Sequence, residues 1–274
     1  MTMPPKRWLR FSIRTLLLTL LVSGIAFGLV SNRANRQLEI LANIKMAGGT
    51  HQSHPNTSSI ASNLLGRIFG TEAFANVYSV DLRGTDANDE LIVKLANLSL
   101  LRELDLTGTR TTDVGVLAIS RLPLKTLWLQ ECPITDLSGS HLSKTTTLEM
   151  LAMNATNCSD DFIDNLGPLP ELKDLGLRGT NIAFNGVQNV GCMPKIESLR
   201  LYDTSVNDNA IQQLANNQTL KFIGLSSTSV TDDVFETLRT ISTLTEIDLN
   251  ACPGITPDAA KHFALETKCL VDYN

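Results

Sequence analysis

Residues 227–238 read STSVTDDVFETL and set two adjacent carboxylates, Asp232 and Asp233, behind the hydroxyls of Thr228, Ser229 and Thr231. Carboxylates and hydroxyls this close can ligate a hard cation or serve as an acid/base pair. A second candidate is HQSH, which spaces His51 and His54 as metal ligands could be spaced, with no cysteine or third ligand nearby. The cysteines Cys132, Cys158, Cys192, Cys252 and Cys269 form neither a CxxC nor a zinc spacing, and their odd number argues against a disulfide framework. The phosphate-binding patterns GxGxxG and GxxxxGK[ST] are missing, as is the GxSxG nucleophile turn. Nothing assembles a nucleophile, a base and an oxyanion donor, so the sequence points to a non-catalytic protein without cofactor or metal.

Whether Asp232 is chemistry or architecture depends on the elements that carry it, and those repeat. VYSVDLRGT begins at 77, LRELDLTGT at 101, LKTLWLQEC at 124, LEMLAMNAT at 148, LKDLGLRGT at 172, IESLRLYDT at 196, LKFIGLSST at 220 and LTEIDLNAC at 244. The first, fourth and sixth positions are apolar in all eight segments, and the ninth is always Thr or Cys. A three-residue strand cannot bury its face alone, but eight of them stacked about 4.8 Å apart form a continuous aliphatic core. Behind each strand a helical pattern presents apolar pairs three apart, as in Ile92/Leu95, Val116/Ile119, Ile163/Leu166, Ile211/Leu214 and Phe235/Leu238. Asp232 has equivalents at Asp89, Asp113, Asp136, Asp160 and Asp208. A catalytic carboxylate has no reason to recur with the repeat, whereas a helix N-cap does, so these aspartates are expected to cap the N–H groups of their own helices. Cys132 and Cys252, at the ninth position, are expected to be buried structural residues.

The N-terminus carries a different signal. Residues 15–32, TLLLTLLVSGIAFGLVSN, are uncharged, and as a helix they span roughly 27 Å, close to the hydrocarbon thickness of a bilayer. Lys6, Arg7, Arg10 and Arg14 precede this run with Trp8 among them, and Arg33 and Arg36 follow it. The basic excess on the amino side predicts a cytoplasmic N-terminus (1–14), a transmembrane signal-anchor (15–32) and a body outside the cytoplasm. The alternative is a secreted chain, cleaved near Ala26-Phe27-Gly28. Leu38, Leu41 and Ile44 continue at helical spacing until Gly48-Gly49, residues 50–59 read as a loop, and 60–69 look helical, so 33–76 reads as a juxtamembrane helix and N-terminal cap. Six of the 23 basic residues lie in the first 36 positions with no acid, so the remaining 17 face 28 acids and the body carries −11. So acidic a body is poorly suited to nucleic acid.

From 77 to 274 the segments resemble leucine-rich repeats, LxxLxLxx(N/C/T), of the ribonuclease-inhibitor-like or cysteine-containing classes. With the anchor, the chain resembles membrane-anchored bacterial proteins of that family. The resemblance implies an α/β horseshoe, a right-handed solenoid with an inner parallel sheet and outer helices, used mainly for protein binding. The pattern departs at Ala183-Phe184-Asn185, which replaces the Thr-Asp pair, and at ACPGITPD, which inserts a residue; KCLVDYN reads as a last partial strand.

In such a fold the residues between the strand leucines project onto the concave face. They vary freely here, with acids at both ends and Trp128, Met150, Arg178, Arg200, Tyr202 and Phe222 toward the middle. Trp, Tyr and Arg dominate interface energetics, so these six form a candidate patch for a protein or peptide partner. The competing reading pairs Arg178 with Asp174 and Arg200 with Asp203, and stacks the aromatics to shield the sheet. At the level of the whole protein the alternative is a structural, self-associating solenoid.

Overall fold

The computed structural model describes residues 13–55 and 60–273; Lys6, Arg7, Trp8 and Arg10 lie outside them. The chain divides into two compact units, one of Met1–Glu39 with Pro55–Ala75, the other of Ile40–His54 with Asn76–Asn274. A single helix, α1 (Ile13–Met46), runs through the uncharged stretch and beyond it. Among the described residues it is the one helix long and apolar enough to cross a membrane, and Leu16 through Leu29 present large apolar side chains outward. It stops where the chain reaches Gly48, whose φ of 87° suits glycine. There the amides of Gly48 and Gly49 donate back to the carbonyls of Lys45 and Ile44, satisfying the last turn. In the first unit Gln37 Nε2 donates to the carbonyls of Glu72 and Ala75, and Phe69 packs against both Phe27 and Phe74 at 6.0 Å.

The second unit is a sheet with helices behind it. After β1 (Thr50–His54) and α2 (Ile60–Phe69, in the first unit), the strands are β2 (Asn76–Asp81), β3 (Glu103–Asp105), β4 (Thr126–Trp128), β5 (Met150–Ala152), β6 (Asp174–Gly176), β7 (Ser198–Arg200), β8 (Phe222–Gly224), β9 (Glu246–Asp248) and β10 (Leu270–Asp272). Among the described residues these ten strands form one sheet in chain order. From β2 onward the pairing is parallel and in strict register, so that Val80, Leu104, Leu127, Leu151, Leu175, Leu199, Ile223 and Ile247 share one row. Apart from half-buried Leu244, every residue at the first, fourth and sixth repeat positions is buried, as are the helical pairs. Ile40, Leu41 and Ile44, at the end of α1, join the same core. Each fully buried Leu or Ile contributes roughly 1.5–3 kcal/mol, which no strand of three residues could collect alone.

The structure corrects the reading of residues 50–59 as a loop: Thr50–His54 is β1, antiparallel to β2 with a bulge between Gln52 and Ser53. It is an edge strand held by backbone bonds, so its sequence needs no apolar alternation and shows none. KCLVDYN does supply the last strand, β10, parallel to β9.

Asp232 and its equivalents are architectural, but not as own-helix caps. The intervening helices are α3 (Asp89–Leu95), α4 (Asp113–Ile119), α5 (Leu137–Leu142), α6 (Asp160–Leu166), α7 (Phe184–Gly191), α8 (Asp208–Gln212), α9 (Val234–Leu238) and α10 (Pro257–Thr267). Where a side chain caps, it belongs to the residue just before the helix: Asn88, Thr112, Ser159, Asn207 and Thr256. The carboxylates reach forward into the next repeat instead. Asp89 accepts from the amide and hydroxyl of Thr112 at 2.9 and 2.6 Å, and Asp232 does the same to Thr256 at 2.8 Å each. Asp113 binds Thr135, Asp136 binds Ser159, Asp160 takes the amides of Ala183 and Asn185, and Asp208 binds Thr231. Charged acceptors make these bonds stronger than neutral ones and tie each of these repeats to its successor. Repeat five keeps its helix without the Thr-Asp pair, because Asp160 still binds it, but Phe184 leaves it no carboxylate to offer onward.

The ninth position closes the turn in two ways. Thr85, Thr109, Thr156, Thr180, Thr204 and Thr228 each donate to the carbonyl three residues back, at 2.6–2.7 Å. Cys132 and Cys252 are buried, and their thiols reach the preceding repeat's Leu106 and Leu225 carbonyls at 3.0 and 3.1 Å.

Candidate binding face

Side chains alternate along a strand, so with the fourth and sixth repeat positions turned into the core, the third, fifth and seventh stand on the opposite face. Four of the six expected patch residues lie on strands: Trp128 on β4, Met150 on β5, Arg200 on β7 and Phe222 on β8, all half-buried. Arg178 follows β6 and is exposed, and Tyr202 follows β7 and is half-buried.

They form two groups. Arg200 sits 5.5 Å over the Phe222 ring and pairs with Asp174; Arg178 grips Asp203 Oδ2 through Nε and Nη2 at 3.2 and 3.1 Å. The two ion pairs are therefore the reverse of those expected within repeats. Residues three or four apart on an extended segment are separated by roughly 10–13 Å, whereas neighbouring strands are about 4.8 Å apart, so each arginine finds its partner across a strand boundary. Tyr202 lies over Gly224: a Cβ at that glycine would stand 2.3 Å from Tyr202 Cζ. Burial, with the charge of Asp248 next, pushes the Tyr202 phenol up to about 12. Asp248 also accepts from the Asn250 amide and side chain at 3.1 and 3.0 Å, and from the Ser226 hydroxyl.

Trp128 and Met150 stand apart from that group. In the register Trp128 pairs with Ala152, Ala152 with Gly176 and Gly176 with Arg200. Three strand spacings, about 14 Å, thus separate Trp128 from Arg200, with two small residues between them. At the start of the sheet Asp105, 4% exposed, takes Arg83 through Nε and Nη2 at 2.9 and 2.6 Å.

One ordered feature escaped the sequence reading. At the second repeat position Lys125, Glu149 and Lys173 bridge at 2.6 and 3.2 Å, and Glu197 and Lys221 at 2.7 Å. The lysine contacts hold the Glu149 and Glu197 carboxyls below their ordinary range, outweighing desolvation. Its signal was present, as charge alternating in sign every 24 residues from 125 to 221. His51 and His54 lie on β1, where the His54 ring stacks on Tyr78 at 4.5 Å. Among the described residues no three His, Cys, Asp or Glu side chains are grouped to hold a metal.

No protein-family model matches the chain, and neither does any curated protein. Solved structures do. An internalin C2 from Listeria monocytogenes is similar over 78% of this chain and 92% of its own, with a TM-score of 0.57 at 16% identity. The leucine-rich-repeat ectodomain of a plant membrane receptor kinase from Arabidopsis thaliana, in complex with Casparian strip integrity factor 2, matches 73% of this chain and 24% of its own, at 14% identity and a TM-score of 0.47. A TDR receptor matches 66% of this chain and 36% of its own, at 16% identity and a TM-score of 0.42. The chain thus has the leucine-rich-repeat solenoid fold, α/β with a parallel sheet.

Proposed function

We propose that the chain is a membrane-anchored leucine-rich-repeat protein that binds a protein or peptide partner on its concave sheet face, through Trp128, Met150, Arg178, Arg200, Tyr202 and Phe222. In this reading residues 15–32 span the bilayer with 1–14 in the cytoplasm, 33–76 link and cap, and 77–274 carry repeats of the ribonuclease-inhibitor-like or cysteine-containing type outside it. The observation that carries the proposal is the low floor of Ala152 and Gly176 between Trp128 and Arg200. Core packing dictates no residue there, yet the floor is bounded by the two side-chain types that most often anchor interfaces.

A second reading has its own support. Arg83, Arg178 and Arg200 are all paired with carboxylates of the same face, as expected if the charges only shield the sheet of a self-associating solenoid. Cross-linking capture from the native membrane decides between them, using the full chain beside a Trp128→Ala, Arg200→Ala, Tyr202→Ala variant. A partner captured by the wild type and lost by the folded variant supports the binding face. An unchanged partner set refutes it, and adducts consisting only of the chain itself favour self-association.

A further inference from the structure

A cavity of about 330 Å³ opens beyond the carboxyl ends of β6 to β9, lined among others by Arg178, Tyr202, Asp203, Ser226 and Asp248. Its volume lies at the small end of ligand pockets, enough for one long side chain. Its charge is one-sided. Arg178 is the one cation in the lining and is already matched by Asp203, which leaves the Asp248 carboxylate in net excess. The Ser226 hydroxyl carries the same polarity. It donates to Asp248, so its oxygen presents lone pairs, not a proton, to an incoming group. Tyr202 meanwhile lies across Gly224 and offers the flat side of an aromatic ring. An anion entering here would have to break the Arg178–Asp203 pair and face Asp248. A cation with several N–H donors meets acceptors and a π face.

We propose that this pocket seats a single lysine or arginine side chain of the partner, a reading that rests on the sheet face being the working surface. The body's charge of −11 steers such a partner in over longer range. The test titrates acetyl-glycyl-arginyl-glycinamide, and its citrulline counterpart of equal shape and no charge, into isotope-labelled full-length protein in detergent micelles. The expected result is saturable shifts of the Ser226 and Ser227 amides with the arginine peptide, about tenfold weaker binding of the citrulline peptide, loss of the shifts in Asp203→Asn, and no change in Ser140→Ala, an exposed position on the helical side. Asp203 is exposed, so its replacement leaves the core untouched. Equal affinity for the two peptides, or no shift with either, overturns the proposal. A partner captured from membranes that needs Trp128 but ignores Asp203→Asn refutes the pocket while leaving the broader binding face standing.

Discussion

Tyr202 shows how one small residue sets the character of a side chain in the preceding repeat. With hydrogen at Gly224, the ring can lie down on the sheet, where burial and the nearby Asp248 charge keep the phenol protonated. Gly224→Ala is therefore expected to lift the ring away and return the phenol from about 12 toward its ordinary 10, as read by ultraviolet titration of the tyrosines. An unshifted late-titrating tyrosine would contradict this geometry. Asp113 gives the corresponding test at acid pH. Burial alone would raise its carboxyl, but the Ser138 hydroxyl and the Thr135 amide and hydroxyl outweigh that and hold it below the ordinary range. A lowered folded value means stability that is full above the unfolded value of about 4 and lost as pH falls toward the folded one. Asp113→Ala is expected to cost about 1–3 kcal/mol at pH 7 in denaturant unfolding, with the gap to wild type closing under acid. A gap independent of pH would show that the carboxylate is not what binds the repeats.

At the scale of elements, the row of aspartates sets the limit of what the sequence could say. Their recurrence through the repeats was legible and pointed to architecture, which the repeat-to-repeat hydrogen bonds show. Their partner is not legible in the sequence, because a carboxylate in the first helical turn has two sets of amides in reach and spacing does not choose between them. The strands and buried helical faces were legible because core packing leaves a periodic trace. β1 was not, since an edge strand held by backbone bonds leaves none, and Arg178 and Arg200 were paired wrongly because partners within a repeat are nearer in sequence but farther in space. The missing carboxylate at Phe184 yields a prediction. Phe184→Asp, which also removes an exposed aromatic, should give the amide of Asn207 an acceptor and stabilise the chain by about 1 kcal/mol, raising Tm by about 2–4 °C. A lowered Tm would mean that Phe184 contributes packing the aspartate cannot replace.

For the whole molecule, the repeat architecture explains the division between a constant core and a varied face. Stacking fixes the inward residues, and leaves the third, fifth and seventh positions free to be selected for something else. The periodicity that makes the scaffold legible says nothing of a ligand, because repeats constrain their own packing and not what the free face would bind. The most direct test places a photoreactive amino acid, one position at a time, at Met150 or Ser226 on the sheet face and at Ser140 or Asn209 on the helical side, and irradiates the full chain in its native membrane. The account predicts adducts to a distinct protein from the sheet positions and none from Ser140 or Asn209. Adducts to that protein from the helical side, or to the chain itself from the sheet face, would contradict it.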